Sequence, residues 1–135
     1  MNVNLQVIKK SIKLTKKFKK QYFARIYISA KLNNTIITIT DVCGNTIISY
    51  SCGRSKQWKG KRSIKAISQE ISEQLGLRLR NEFKTKNVKI LIKGFGRGRE
   101  SSILGFIQSG LKIVSIIDTT SFPHNGCKKI RARRK

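Results

Sequence analysis

Three stretches, Tyr22-Phe23-Ala24-Arg25-Ile26-Tyr27-Ile28-Ser29, Thr35-Ile36-Ile37-Thr38-Ile39-Thr40-Asp41 and Thr46-Ile47-Ile48-Ser49-Tyr50-Ser51, succeed one another with little between them. β-Branched and aromatic residues dominate all three, and such side chains suit a pleated, half-buried surface. The connections are short: Asn33-Asn34 precedes the second stretch and Cys43-Gly44-Asn45 the third. Asn and Gly tolerate the positive φ of tight turns, so the three stretches read as an antiparallel meander.

Downstream, residues 53–62 form a basic loop, and Ser63 then opens a run with Ile64, Ile67, Ile71 and Leu75 at intervals of three and four. That spacing predicts one apolar helical stripe with Ser63 as its N-cap. Gly76 costs about 1 kcal/mol against Ala inside a helix and leaves the far end of this one open. Residues 87–92 predict a fourth strand. It leads through Lys93-Gly94-Phe95-Gly96-Arg97-Gly98-Arg99-Glu100 into a short helix with Ile103, Phe106 and Ile107, which Gly110 ends. Residues 111–118 complete the order β-β-β-α-β-α-β. The later strands need parallel crossovers whereas the first three are antiparallel, so the expected fold is α/β, a mixed sheet covered by helices. The expected organisation is one domain over residues 21–120, a basic extension at 1–20 and a basic tail at 121–135.

Charge narrows the function. The chain has 135 residues, 30 Lys plus Arg against 6 Asp plus Glu, and a formal charge of +24. No acid precedes Asp41, none lies between Asp41 and Glu70, and none follows Asp118. Such a chain needs a polyanion as partner. Its apolar fraction of 39% still suffices for a core, which argues against disorder through the middle. No apolar run reaches the roughly 18 residues of a membrane span, and residues 1–20 match neither a secretory signal nor an Arg-rich presequence. They read as mature sequence, and no membrane partner is expected. Cys43, Cys52 and Cys127 are odd in number and widely spaced, which points to free thiols rather than to a disulfide framework or a zinc site. Ile and Lys number 20 each and Ala 4, a skew expected of an AT-rich gene in an organelle or an AT-rich bacterium.

The glycine-rich segment at residues 93–100 lies between a strand and a helix, where backbone N–H groups can surround a phosphate. A dinucleotide fingerprint fails, because Arg99 stands where its third glycine belongs. Gly60-Lys61 fails as a phosphate-binding loop, with Ser55 in place of the first glycine and Arg62 in place of the metal-holding hydroxyl. Arg97 and Arg99 beside flexible glycines suit an RNA backbone phosphate, the alternative being a plain strand-to-helix turn. In the basic loop, Arg54, Lys56, Lys59, Lys61 and Arg62 surround Trp58. Cations there can pair with phosphates while the indole stacks on an unpaired base. Equally, Trp58 can fold back into the core.

Catalysis has little to draw on. The single histidine, His124, sits in Pro123-His124-Asn125-Gly126 with no nucleophile at a defined spacing, and an RNA hydrogen bond or turn packing suits it better. Glu70, Glu73 and Glu82 belong to a solvated helix face and its end, while Asp41 and Asp118 close strands. A metal-dependent nuclease would need several acids meeting at strand ends. No enzyme activity, metal or cofactor is expected.

Taken together, Asn33-Asn34-Thr35-Ile36-Ile37-Thr38-Ile39-Thr40-Asp41, the Gly44-Asn45 turn, Trp58-Lys59-Gly60, Lys93-Gly94-Phe95-Gly96 with Gly98-Arg99-Glu100, and Pro123-His124-Asn125-Gly126-Cys127 resemble small-subunit ribosomal protein eleven. They occur in that family's order across residues 21–135. The resemblance implies a three-layer α/β/α fold with a mixed five-stranded sheet of ribonuclease-H-like topology, without that enzyme's activity. It implies a structural role on the platform of the small ribosomal subunit near the exit site, against small-subunit rRNA, neighbouring platform proteins and mRNA, and not a homo-oligomer. By position, Asn33, Asn34 and Thr35, the loop from Trp58 through Lys59 to Gly60, Gly94, Gly96, Arg97, Gly98 and Arg99, and His124, Asn125 and Gly126 would face rRNA. The tail cations Lys128, Lys129, Arg131, Arg133, Arg134 and Lys135 would thread into it. The family commonly has proline where Phe95 stands, a Pro-rich tail, and an alanine-rich first helix where this one carries Ile, Ser and Glu. With the Ile and Lys skew, those departures point to a divergent organelle ribosome, mitochondrial first, with plastid or bacterial cytoplasm as the alternatives.

Overall fold

The computed structural model describes residues 23–54, 65–128 and 130. The predicted meander is present as β1 (Phe23–Ala30), β2 (Thr35–Thr40) and β3 (Thr46–Ser51), ending in a 3-10 turn at Cys52–Arg54. Helix α1 (Lys65–Glu82), β4 (Asn87–Lys93), α2 (Gly98–Gln108) and β5 (Lys112–Asp118) come next in the expected order. The sheet runs β3-β2-β1-β4-β5. The pairs β3/β2 and β2/β1 are antiparallel, and β1/β4 and β4/β5 are parallel. This is the α/β architecture with a mixed five-stranded sheet. Among the described residues, no helix is long and apolar enough to cross a membrane.

Alternation decides which face of the sheet is dry. Ala24, Ile26, Ile28 and Ala30 of β1 and Val88, Ile90 and Ile92 of β4 are buried, while Arg25, Tyr27, Lys89 and Leu91 between them are partly or fully exposed. Adjacent strand residues point to opposite faces, so the first set shares one side. There it meets Ile67, Ile71, Leu75 and Leu79 of α1 and Phe106 of α2 in a single cluster. Both described helices therefore lie on that face. Each fully buried Ile or Leu contributes about 1.5–3 kcal/mol through removal of apolar surface from water.

The far end of α1, which the sequence left open, lies beyond Gly76 at Glu82. A Cβ at Gly76 would overlap the Ser109 side chain of the α2 C-cap, just as one at Gly105 would overlap the Gln69 backbone oxygen. Close approach of the two helices requires glycine at both points, and the contact offsets the intrinsic cost of Gly76 in a helix. The α2 end is as expected: Ser109 caps it and Gly110 comes next at φ +76°.

Candidate nucleic-acid interface

Parallel pairing of β1 with β4 puts the C-terminal ends of both strands side by side, with Ser29 opposite Lys93. The turns that leave these two strands must therefore meet. The Gly96 amide donates to Ala30 O at 2.9 Å, and Cβ atoms at Gly94 and Gly96 would run into the backbone oxygens of Ala30 and Lys31. Gly94 also has φ +95°. Close approach and left-handed backbone together make this turn glycine-rich.

Two further segments join the same end of the sheet. The Asn34 side chain and Ser51 Oγ exchange hydrogen bonds of 2.8 and 3.2 Å, tying the β1–β2 turn to the end of β3. Ser51 Oγ also accepts from the Gly53 amide at 3.3 Å, so Arg54 begins the basic loop from this end, its guanidinium 5.6 Å from the Tyr50 ring centroid. On the other side, the Thr119 amide donates to Ile92 O at 2.8 Å and the Gly94 amide donates to Thr120 Oγ1 at 3.1 Å, so the tail begins beside the glycine-rich turn.

Arg99 holds that junction together. Its guanidinium donates to Asp118 Oδ2 at 2.6 Å and to Gly94 O at 3.1 Å, and Asp118 Oδ1 accepts from the Thr120 hydroxyl at 2.6 Å and its amide at 2.9 Å. The Arg99 hydrogen bond first, then those from Thr120, hold the Asp118 carboxyl well below the usual carboxylate range.

The predicted site residues divide accordingly. Asn33 and Arg97 are exposed and make no described hydrogen bond or ion pair, which leaves them open to a ligand. Arg54, His124, Asn125, Gly126 and Lys128 are exposed as well. His124 stands 4.8 Å from Phe122 ring to ring, and Asn125 takes φ +54°, a turn conformation that Asn tolerates. Thr35 and Gly98 are buried against each other, and a Cβ at Gly98 would overlap Thr35 Oγ1. Asn34 is engaged by Ser51 and Arg99 by Asp118, so these four shape the surface from beneath. Lys56, Trp58, Lys59, Gly60, Lys61, Arg62, Lys129, Arg131, Arg133, Arg134 and Lys135 lie outside the described residues. Sequence reasoning passed over Asp118 and Thr120 as partners of Arg99, a pairing that the parallel β4–β5 register creates and no local spacing signals.

The comparisons with known proteins complete the picture. The family model for ribosomal protein S11 matches residues 24–134. This chain belongs to the ribosomal protein S11 family. Relatives in that family include the small ribosomal subunit protein uS11 of Carsonella ruddii, 46% identical over 110 residues that make up 81% of this chain and 92% of the relative. The uS11 of Blochmanniella floridana is 37% identical over 125 residues, 92% of this chain and 95% of the relative. The organellar uS11c of Tupiella akineta is 38% identical over 125 residues, 93% and 92% of the two chains. The S11 match spans all five strands from Ala24 onward, both helices and the tail as far as residue 134, so it embraces every segment of the candidate interface just described. Among the described residues of this S11 member, no group of three or more His, Cys, Asp or Glu could hold a metal ion, and Cys43, Cys52 and Cys127 are free.

Proposed function

We propose that this S11-family chain is a structural constituent of the small ribosomal subunit, and that it binds small-subunit rRNA through the end of the sheet where four chain segments converge. One observation carries the reading: the β1–β2 turn, the end of β3, the glycine-rich turn and the start of the tail meet at one end of a chain of charge +24. Backbone phosphates are the natural counter-surface, and flexible cations at such an end contribute most of the affinity by counterion release. Asn33, Arg54, Arg97, His124, Asn125, Gly126 and Lys128 are the contact residues among those described, while Asn34, Thr35, Gly94, Gly96, Gly98 and Arg99 set their positions. The basic loop with Trp58 and the cations of the tail extend the contact. Residues 1–20 and 121–135 act as basic extensions of one central domain, and the protein works without catalysis, metal or cofactor.

Its neighbours are rRNA, platform proteins and mRNA near the exit site, and it enters the particle as a single copy. The Ile and Lys skew favours an organellar ribosome, mitochondrial in the first instance. The test is sedimentation of native extract after a moderate salt wash: the protein stays with small subunits. Release as free protein at that salt would count against a constituent of the particle. Fractionation of organelles, with this chain detected by an antibody raised against it, checks the mitochondrial assignment, which an exclusively plastid or bacterial signal would overturn.

A further inference from the structure

Two large apolar side chains stand out at the interface end. Phe95 is 81% exposed and Leu32 is 75% exposed, and together with Ala30 and Gly94 they line a groove of about 700 Å³. Lys31, Asn33 and Asn34 complete its lining. The turn itself forces Phe95 outward: Gly94 and Gly96 press against the backbone of Ala30 and Lys31, so residue 95 between them is left to face solvent. A side chain held so exposed loses the hydrophobic stabilisation it would gain by burial, and the Phe95 ring has no aromatic or cationic partner among the described residues. Lys31, Lys93 and Arg97 around it are exposed, none of them in a described ion pair, and the neighbouring acid Asp118 is already occupied by Arg99. An apolar slot with a cationic rim matches a nucleotide of an RNA strand, whose base is flat and apolar on its faces while its phosphates are anionic.

We infer that the Leu32–Phe95 groove receives one unstacked base of the bound RNA, with the base against the Phe95 ring and the flanking phosphates toward Lys31, Lys93 and Arg97. The inference rests on the rRNA-binding reading above and adds to it a specific base-stacking residue. Leu32 closes the other wall and shields the base from water. Asn33, at the mouth of the groove and uncommitted, can hydrogen-bond a base edge.

The experiment is equilibrium binding of the full chain to transcribed small-subunit rRNA. Phe95→Ala weakens binding about 5- to 150-fold, the range for loss of one base–aromatic stack. Phe95→Trp restores it, because any aromatic face can stack, whereas Phe95→Leu does not. The slope of log affinity against log salt stays the same in all three, since no phosphate contact is removed. Leu104→Ala, an exposed apolar residue on α2, leaves binding unchanged and serves as the control. Melting temperatures stay together, because the Phe95 side chain is outside the core. Equal affinity of Phe95→Ala and wild type overturns the stacking site while leaving the rRNA-binding reading in place. Full rescue by Phe95→Leu also overturns it, as does normal binding to naked RNA with poor incorporation into subunits, which assigns the groove to a protein. A wild-type chain that does not bind the RNA sinks both.

Discussion

The two ends of the sheet use the same residue types differently. At the end away from the interface, the β2–β3 turn is closed by its own atoms: Asp41 accepts hydrogen bonds from the Asn45 amide at 2.8 Å and the Asn45 side chain at 3.0 Å, and Gly44 has φ +93° with open space where a Cβ would be. At the interface end, Gly94 and Gly96 are held against backbone from a strand more than sixty positions away in sequence. One turn needs glycine for its dihedral angle alone, the other because two chain segments touch. A locally closed turn is replaceable, whereas a turn built from distant segments transmits any change to every segment it joins.

The largest effect should come from the charge that leaves the interface end. Deleting residues 128–135 removes six cations, and the last described strand ends earlier, at Asp118. The fold should persist while the slope of log rRNA affinity against log salt becomes shallower by about 0.7 to 0.9 per lost phosphate contact. Parallel slopes in a salt titration would show a tail that is merely solvated. Next, Gly96→Ala should cost about 2–3 kcal/mol in urea unfolding, because backbone must move to make room, and should lower rRNA affinity as well. A variant as stable as wild type would refute the close approach. Gly44→Ala is expected to cost only about 1–2 kcal/mol, the penalty of a left-handed conformation, and to leave rRNA affinity untouched. Comparable losses of affinity from both glycine variants would erase the distinction between the two ends.

The smallest effect concerns the Arg99–Asp118 pair. Because the Asp118 pKa is depressed in the folded state, its stabilisation is present above the unfolded value near about 4 and is lost as pH falls below it. The difference in melting temperature between wild type and Asp118→Asn should accordingly hold constant from pH 7 to about 5 and shrink only below about 4. A difference that fades between pH 7 and 5 would place the shift in the other direction. Both side chains are partly solvent-exposed, so salt should narrow the gap at every pH.

How far the fold could be read in advance depends on the range of the signals. Strand identities in the meander, the apolar stripe of Ile67, Ile71 and Leu75 and the end of α2 at Gly110 were legible because alternation, helical spacing and turn chemistry act over a few residues. The continuation of α1 through Gly76 was not, because its justification is Ser109 on the other helix. The site residues show the same division. Charge picked out Arg54 and Arg97, and the family resemblance Asn33 and the 124–126 turn, all of which are exposed. The motif also included Thr35, Gly98, Asn34 and Arg99, which the structure commits to packing or to internal hydrogen bonds.

By itself the sequence determined that this is a basic α/β chain of the S11 pattern, because composition, periodicity and the order of short motifs are properties of neighbouring residues. The tertiary structure alone decided which of those residues face outward. Parallel pairing of β1 with β4 and β4 with β5 aligns the ends of strands that are distant in the chain. That alignment buries Gly98 on Thr35, pairs Arg99 with Asp118 and leaves Phe95 and Leu32 at the surface, since hydrogen-bonded register between strands has no counterpart in local sequence.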